Sequence, residues 1–286
     1  MLRLKENDPI AKSVGLWYSK VSETERRITM SAFLEQTAWT MEKPVSYGAF
    51  HLIATALLLA LAIWGAWRLR KVSDRGARWV LGITGGALLA AEVYKIAFHM
   101  TVDPYDWGFF GCFPFQLCSV PMYLSLFCAF CRKEKLNNWL CEFMFAINMF
   151  GGIMAFIEPS GINHGFWTLT IHAYIWHMAL IFLGLFLYFS KRACMDKSSY
   201  KKSAVVYLIS CAVAQFFNLI FPGEVNCFYI SPYLPSPLAV FKDIYAACGW
   251  VVNMVLLILA LLIASAAVCY IGYFFRTRKV KTPVKV

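Results

Sequence analysis

Charged side chains are scarce in this chain: Asp, Glu, Lys and Arg make up only 15% of its 286 residues. A soluble globular domain averages about 25%. Regular alternation of polar and apolar residues is also lacking, which argues against the strands of a membrane barrel. Hydrophobic residues make up 60% of the chain, and they gather in runs near the ~20 residues that a helix needs to cross a bilayer. The composition therefore predicts an all-α membrane protein.

Seven hydrophobic runs predict spanning helices, which together make a seven-transmembrane helical bundle. The runs are 47–67, 77–100, 113–131, 139–156, 166–189, 204–221 and 251–275. We expect one membrane domain over 47–275. An extracytoplasmic or interfacial segment, 1–46, precedes this domain, and a basic tail, 276–286, follows it. A capping-box pattern in the first segment predicts a helix over about 23–41.

Lys and Arg are missing from alternate loops. Loops 101–112 and 157–165 contain neither, and 222–250 contains only Lys242, whereas the other three loops and the tail are basic. Lys and Arg favour the cytoplasmic side of a membrane, so we expect the N-terminus outside and the C-terminus inside, in the cell membrane. The net charge of +11 then reflects cytoplasmic flanks beside anionic headgroups. No nucleic-acid partner is expected.

The spacing of metal ligands is absent as well. Of the ten cysteines, Cys128 and Cys131 form a lone CxxC without a second pair, and no HxxH or HExxH pattern occurs. A histidine site built from His51, His99 and His172 would require three helices to converge. We rank this hypothesis last and predict no metal.

Polar residues inside the hydrophobic runs lie almost entirely in their predicted outer halves. Burying ionisable groups in hydrocarbon is costly, so such groups usually line a cavity or pair with one another. Their similar depth on several helices predicts one polar site that opens toward the outside. These residues are His51, Glu92, Lys95, His99, Gln116, Cys118, His172, Gln215 and Asn218.

The second run carries Glu92, Lys95 and His99 at spacings of three and seven residues, which places them on one helical face. One interpretation is a Glu92–Lys95 ion pair that stabilises the bundle. The other is a charged wall that binds a polar headgroup or tunes a nearby base. The sequence leaves both open.

The third run begins with two prolines, Pro114 and Pro121, on either side of Gln116 and Cys118. Proline loosens a helix and frees backbone carbonyls, which is tolerated in a membrane mainly beside a cavity. A cysteine in a membrane helix more often packs than reacts, and it becomes a nucleophile only beside a base or a positive field.

The fifth run offers such a base in His172, which enters from the outside to about the depth of Cys118. His177 is deeper and points about 140° away around the helix, which suits a core histidine or an indirect contact. Asn148 in the fourth run is followed by Gly151-Gly152, a pair that we interpret as close helix packing.

Three short motifs resemble a known family over approximately residues 45–275. They are Phe50-His51-Leu52, Pro114-Phe115-Gln116-Leu117-Cys118 and Ile171-His172-Ala173-Tyr174-Ile175. At these positions the chain resembles the bacterial YwaF-like integral membrane family, which is related to the eukaryotic transmembrane protein 164 acyltransferases. The resemblance implies a multi-pass bundle that moves fatty acyl groups on phospholipids through Cys118 and His172. Members of that family often have His two residues before the Cys, where this chain has Gln116.

The leading hypothesis is therefore an integral membrane acyltransferase with membrane phospholipids as partners and no soluble cofactor. Cys118 would attack a lipid ester with His172 as general base, and Gln116 or a freed backbone group would steady the oxyanion. The remaining candidates would bind substrate or support the site indirectly: His51, Glu92, Lys95, His99, His177, Asn148 and Asn218.

A second hypothesis is a transporter that moves protons or solutes along the Glu92–Lys95–His99 face. Such a path would require polar residues that continue to the cytoplasmic side, or internal repeats with broken helices. We expect neither, because the cytoplasmic halves of the runs look almost wholly apolar. The acyltransferase is therefore the preferred reading of the sequence.

Overall fold

The computed structural model describes residues 31–103 and 108–278, which are mostly helical, with no β-sheet among them. The prediction of an all-α fold is confirmed. The helices are α1 (Ala49–Arg68), α2 (Asp74–Thr101), α3 (Val120–Phe130), α4 (Glu134–Ile157), α5 (Trp167–Phe189), α6 (Ser199–Ile220) and α7 (Ala239–Arg278).

Six of these helices, all except α3, are long and apolar enough to cross a membrane. The chain is thus a multi-pass membrane protein. Helix α3 has 11 residues and a length of about 16 Å, roughly half of a ~30 Å hydrocarbon core. The seventh crossing, the direction of insertion and the domain limits remain predictions.

The third predicted helix begins later than the sequence suggests, at Val120 instead of residue 113. Pro121 stands in the first turn of α3, where its missing N–H costs no helical hydrogen bond. Pro114 disfavours helical dihedrals at the preceding residue, and residues 113–119 have no α-helix. We call residues 113–119 the Cys118 segment.

The N-terminal helix predicted over 23–41 falls partly outside the described residues, which begin at 31. Residues 31–36 are helical, and the helix ends before Thr37. Its end is therefore about five residues earlier than predicted. Beyond it the chain lies beside the start of α5, because the Trp167 N–H donates to the carbonyl of Trp39 at 2.9 Å.

Glycines let the central helices approach closely. A Cβ at Gly184 of α5 would lie 2.5 Å from Cβ of Met149 on α4. A Cβ at Gly152 would lie 2.9 Å from the carbonyl oxygen of His177. The interpretation of Gly152 as a packing residue is confirmed, whereas a Cβ at Gly151 would meet nothing within 4 Å.

The helices run up and down, so the bundle has two ends. The basic end carries the connections 69–73, 131–133 and 190–198 and the end of α7. The opposite end carries 102–103, 108–119, 158–166 and 221–238, and we call 221–238 the roof loop. The last helix is interrupted at Gly249, whose φ of +78° favours glycine.

Candidate functional site

A cavity of about 670 Å³ opens at the opposite end of the bundle, and we call it the site cavity. Its walls come from α2, the Cys118 segment, the 158–166 connection, α5 and the roof loop. Seven of the residues that the sequence singled out line it: Glu92, Lys95, His99, Gln116, Cys118, His172 and His177. Of the nine residues expected to form one polar site, six line this cavity, whereas His51, Gln215 and Asn218 do not.

Side chains from two helices, α4 and α5, hold the Cys118 segment in its non-helical form. The Asn148 amide donates to the carbonyl of Leu117 at 3.0 Å, and the Trp176 indole donates to the carbonyl of Cys118 at 3.0 Å. Two carbonyls that a helix would have satisfied internally are therefore satisfied from α4 and α5. Asn148 is buried behind the segment and does not line the cavity.

Cys118 and His172 are linked through Trp176. The His172 ring stacks on the Trp176 ring with centroids 5.4 Å apart, and the same indole fixes the Cys118 carbonyl. His172 Nε2 is buried and has no hydrogen-bond partner among the described residues. The Cys118 thiol lies within reach of the Ser119 hydroxyl and of its own backbone N–H. Cys118 and His172 thus both line the site cavity.

Glu92 and Lys95 form the ion pair that their spacing suggested. Lys95 Nζ donates to Glu92 Oε1 at 2.8 Å. The Glu92 side chain is 3% exposed, whereas that of Lys95 is 25% exposed. Both residues line the cavity, so the pair lies in its wall, with the Lys95 side chain more exposed than that of Glu92.

The side-chain amide of Gln116 is already hydrogen-bonded through both its nitrogen and its oxygen, so it is not a free oxyanion donor. Its Nε2 donates to the Asn226 carbonyl at 2.9 Å, and its Oε1 accepts from the Phe228 N–H at 3.0 Å. The amide therefore ties the Cys118 segment to the roof loop. One N–H of Nε2 is left for a ligand.

Two asparagines also fix the conformation of the roof loop: Asn218, at the end of α6, and Asn226, within the loop itself. Asn218 binds both the N–H of Cys227, at 2.7 Å, and its carbonyl, at 3.1 Å. Asn226 accepts from the Ser231 N–H and donates to the Pro235 carbonyl. Asn218 does not line the cavity, and its contribution is to shape the loop that does.

His51 lies outside the cavity, so the proposed His51–His99–His172 metal site is wrong. His51 is buried beside Tyr47 and Tyr174, and its Nδ1 accepts from the Tyr47 N–H at 3.2 Å. Within the described ranges, no group of three His, Cys, Asp or Glu side chains could hold a metal ion. The histidines come from different helices and do not all face the same space.

The other histidines gather around the site cavity: four of the five in the chain line it, namely His99, His164, His172 and His177. His177 Nδ1 is 2.8 Å from the Ala173 carbonyl, and His99 Nδ1 is 2.9 Å from the Asp103 carbonyl. Because a carbonyl only accepts, Nδ1 carries the proton in both. In the neutral rings, Nε2 is then the acceptor.

Sequence reasoning missed His164, which lies in a connection and shows no helical period. Burial lowers the pKa of His164 to about 4, so its imidazole is neutral near pH 7. Its backbone N–H and carbonyl both bond the Thr170 hydroxyl, at 3.0 and 3.1 Å. The one available signal was a histidine in a loop without Lys or Arg.

Sequence reasoning also missed Glu142, near the basic end of α4. This carboxylate is completely buried. It accepts from the Cys194 N–H and from the Ser199 hydroxyl, both at 2.8 Å. Glu142 is therefore an exception to the expectation that this half of the bundle is almost wholly apolar. Glu142 was overlooked because it is one acidic residue within a hydrophobic run.

Comparison with known proteins gives one match. No curated protein and no solved structure is significantly similar to the chain. A family model described as the TMEM164 family matches residues 45–276, which include every helix that lines the site cavity. The narrower resemblance to the bacterial YwaF-like branch stays a prediction. The chain belongs to the TMEM164 family.

Proposed function

We propose that this protein is an acyltransferase that moves fatty acyl groups between phospholipids through Cys118 and His172. The observation that supports this most is their placement on the wall of one cavity, with the buried His172 Nε2 lacking a partner among the described residues. Membership in the TMEM164 family supports the same chemistry by resemblance.

The lining of the site cavity suits an amphiphilic substrate. Lys95 and Lys242 offer positive charge and hydrogen bonds to a phosphate. Phe110, Phe113, Leu169, Val225 and Leu234 supply apolar wall. A lipid ester lies between a polar headgroup and an acyl chain, so a cavity with both kinds of wall can hold it at that junction.

In the first half-reaction, His172 Nε2 takes the proton of the Cys118 thiol, and the sulfur attacks the carbonyl carbon of a phospholipid ester. The tetrahedral intermediate collapses with cleavage of the carbon–oxygen bond to glycerol. His172 returns the proton to the leaving glycerol oxygen. The products are a lysophospholipid and an acyl thioester on Cys118.

In the second half-reaction, a lysophospholipid hydroxyl gives its proton to His172, and its oxygen attacks the thioester carbon. The carbon–sulfur bond breaks, and the Cys118 sulfur recovers the proton from His172. The donor and acceptor are both lipids, so atoms balance without a soluble cofactor. The Cys118 N–H and the remaining N–H of Gln116 are the candidate oxyanion donors.

The proposed setting is the outer leaflet of the cell membrane, with the N-terminus outside and the C-terminus inside. Helix α3 and the Cys118 segment together complete the seventh crossing. Labelling of introduced cysteines in intact cells tests this topology. Tyr233→Cys in the roof loop should react, and Lys197→Cys at the basic end should not. The reverse pattern would overturn the orientation.

A transporter is less well supported. A transport path would connect the two ends of the bundle, but the site cavity and the cavity at the basic end share no lining residue among the described ones. Glu92 and Lys95 are also paired with each other. Proton or solute flux in reconstituted vesicles that survives Cys118→Ala would favour this alternative.

The acyltransferase is tested with purified protein, a phospholipid carrying a labelled acyl chain, and a lysophospholipid acceptor. We expect label on the protein that hydroxylamine releases, and no such label in Cys118→Ala. The matched control is Cys248→Ala, because Cys248 is an exposed cysteine outside the cavity. Full transfer by Cys118→Ala would overturn the mechanism.

A further inference from the structure

A second cavity, of about 1200 Å³, lies at the basic end of the bundle, and we call it the basic cavity. It is formed by the ends of α1, α5 and α7 and by the middle of α4. Tyr188 of this cavity is 16 residues beyond His172 on α5, which places it about 24 Å further along the helix. The basic cavity is therefore separate from the proposed chemistry.

The walls of the basic cavity are mainly apolar. Phe145 and Met149 come from α4, Leu185 comes from α5, and Ile271 and Phe275 come from α7. Ile271 and Phe275 are 57% and 58% exposed on the bundle surface, which in a membrane faces lipid. The cavity is therefore accessible to hydrocarbon chains from the side.

Three cations line the same cavity: Arg70, Lys191 and Arg276. Among the described lining residues none is acidic, and none of these cations is paired with a carboxylate in the described part of the chain. The end of the cavity near the membrane surface therefore carries positive charge that no carboxylate of the described residues neutralises.

The two guanidinium groups are held in place by neutral partners. Arg70 stacks on Trp67 at 3.6 Å and donates to its carbonyl at 2.7 Å. Arg276 lies 4.5 Å above the Tyr188 ring and donates to the carbonyls of Tyr188 and Ala193. Its Nε is buried without a hydrogen-bond partner among the described residues. These contacts fix the geometry of the cations and leave their charge available.

The packing of α7 against the rest of the bundle makes the cavity preformed. The Tyr188 hydroxyl donates to the Gly272 carbonyl at 2.9 Å. A Cβ at Gly272 would lie 2.9 Å from Cys194 Sγ and 3.0 Å from the Phe145 ring. Helix α7 therefore approaches its neighbours as closely as glycine allows, and the cation positions need little rearrangement to receive a ligand.

We propose that the basic cavity binds an anionic phospholipid of the surrounding leaflet. Its phosphate would lie against Arg70, Lys191 and Arg276, and its acyl chains would lie along the wall formed by Leu185, Ile271 and their neighbours. Basic pockets between membrane helices recognise anionic headgroups in this way. The inference does not depend on the acyltransferase, since it uses none of the residues of the site cavity.

The test places full-length protein in phosphatidylcholine nanodiscs that contain a minor fraction of phosphatidylglycerol. Native mass spectrometry then measures the lipid retained. We expect phosphatidylglycerol to be enriched on the protein. Arg70→Gln and Lys191→Gln should each weaken its binding about fivefold, and the double variant roughly 30-fold. Cys118→Ala should retain the lipid normally, whether or not it transfers acyl groups.

Arg278→Gln is the matched control, because Arg278 lies on the same helix, stacks on Phe274 and does not line the cavity. It should leave binding nearly unchanged. An equal loss in Arg278→Gln would mean general surface attraction and would overturn the site. Equal retention of phosphatidylcholine would overturn the assignment to an anionic phospholipid.

Discussion

Glu142 near the basic end and His172 near the opposite end are buried polar residues whose hydrogen-bonding capacity is used differently. Near the basic end, each oxygen of the Glu142 carboxylate accepts a hydrogen bond from the α5–α6 connection or the start of α6. At the opposite end, His172 Nε2 has no partner among the described residues, and Lys95 is partly exposed to the site cavity. A carboxylate with both oxygens occupied supports the architecture, whereas a ring nitrogen or ammonium with spare capacity can act on a ligand.

The largest expected effect concerns the proposed reaction in the site cavity. Cys118→Ala and His172→Ala should each lower acyl transfer by about 10²–10⁴-fold, and the double variant should lose little more, because nucleophile and base act as one unit. Steady-state transfer kinetics measure this. Losses that multiply would show that the two side chains act independently. His177→Ala, whose ring is bonded to its own helix, should lose less than either.

The structural side predicts the largest loss of stability. Glu142→Ala leaves the Cys194 N–H and the Ser199 hydroxyl without their acceptor, and we expect a loss of about 2–4 kcal/mol in the free energy of unfolding. Glu142→Gln keeps one carbonyl acceptor and should lose less. Thermal unfolding in detergent measures both. If the folded fraction of Glu142→Ala loses specific transfer activity, the separation between the two ends is wrong.

A smaller effect is expected from Glu92 and Lys95. They are bonded to each other but also line the site cavity, so they are intermediate between Glu142 and His172. Glu92→Gln and Lys95→Met each remove one partner of a 2.8 Å ion pair. A double-mutant cycle should give a coupling energy of about 0.5–3 kcal/mol. Additive losses would show that the pair does not contribute to stability. Transfer kinetics of Lys95→Met separate a headgroup role, seen in KM, from a purely structural one.

The smallest effect concerns pH. Because burial lowers the pKa of His164 from 6.5 to about 4, the unfolded chain takes up a proton at higher pH than the folded chain does. The stability from this group is complete above the unfolded value and is lost as pH falls from 6.5 toward 4. His164→Gln should reduce the destabilisation between about pH 7 and about pH 5 by on the order of 1 kcal/mol. Parallel stability curves would contradict this.

Much of the fold could be predicted from the sequence, because the cost of placing polar backbone and charge in hydrocarbon acts on each segment separately. The six long helices correspond to predicted runs, and α5 agrees to within one residue at its start. The third run was harder to predict. The hydrophobic run includes Pro114 and Gln116, but the helix begins only at Val120. Before Val120, side chains of other helices bond the backbone carbonyls that a helix would bond internally.

The candidate site was predictable where depth and helical spacing carry the signal, and not elsewhere. Depth placed Cys118 near His172, and spacing placed Glu92 beside Lys95. Neither signal could bring in His164 from a connection, exclude His51 from the cavity, or reveal that Gln116 is bonded to the roof loop. These outcomes depend on which way a helix is rotated and on which loop it meets.

The sequence by itself determined that this is a helical membrane protein with its ionisable groups concentrated on a few faces, since transfer into lipid is decided residue by residue. Only the tertiary structure decided which of those groups are used up by neighbours. Glu142 and Gln116 are both polar residues within apolar surroundings. Both carboxylate oxygens of Glu142 accept hydrogen bonds. Gln116 connects the Cys118 segment to the roof loop, at a residue 110 positions further along the chain. Partners so distant in sequence are brought together by packing of the whole bundle, and no local pattern encodes them.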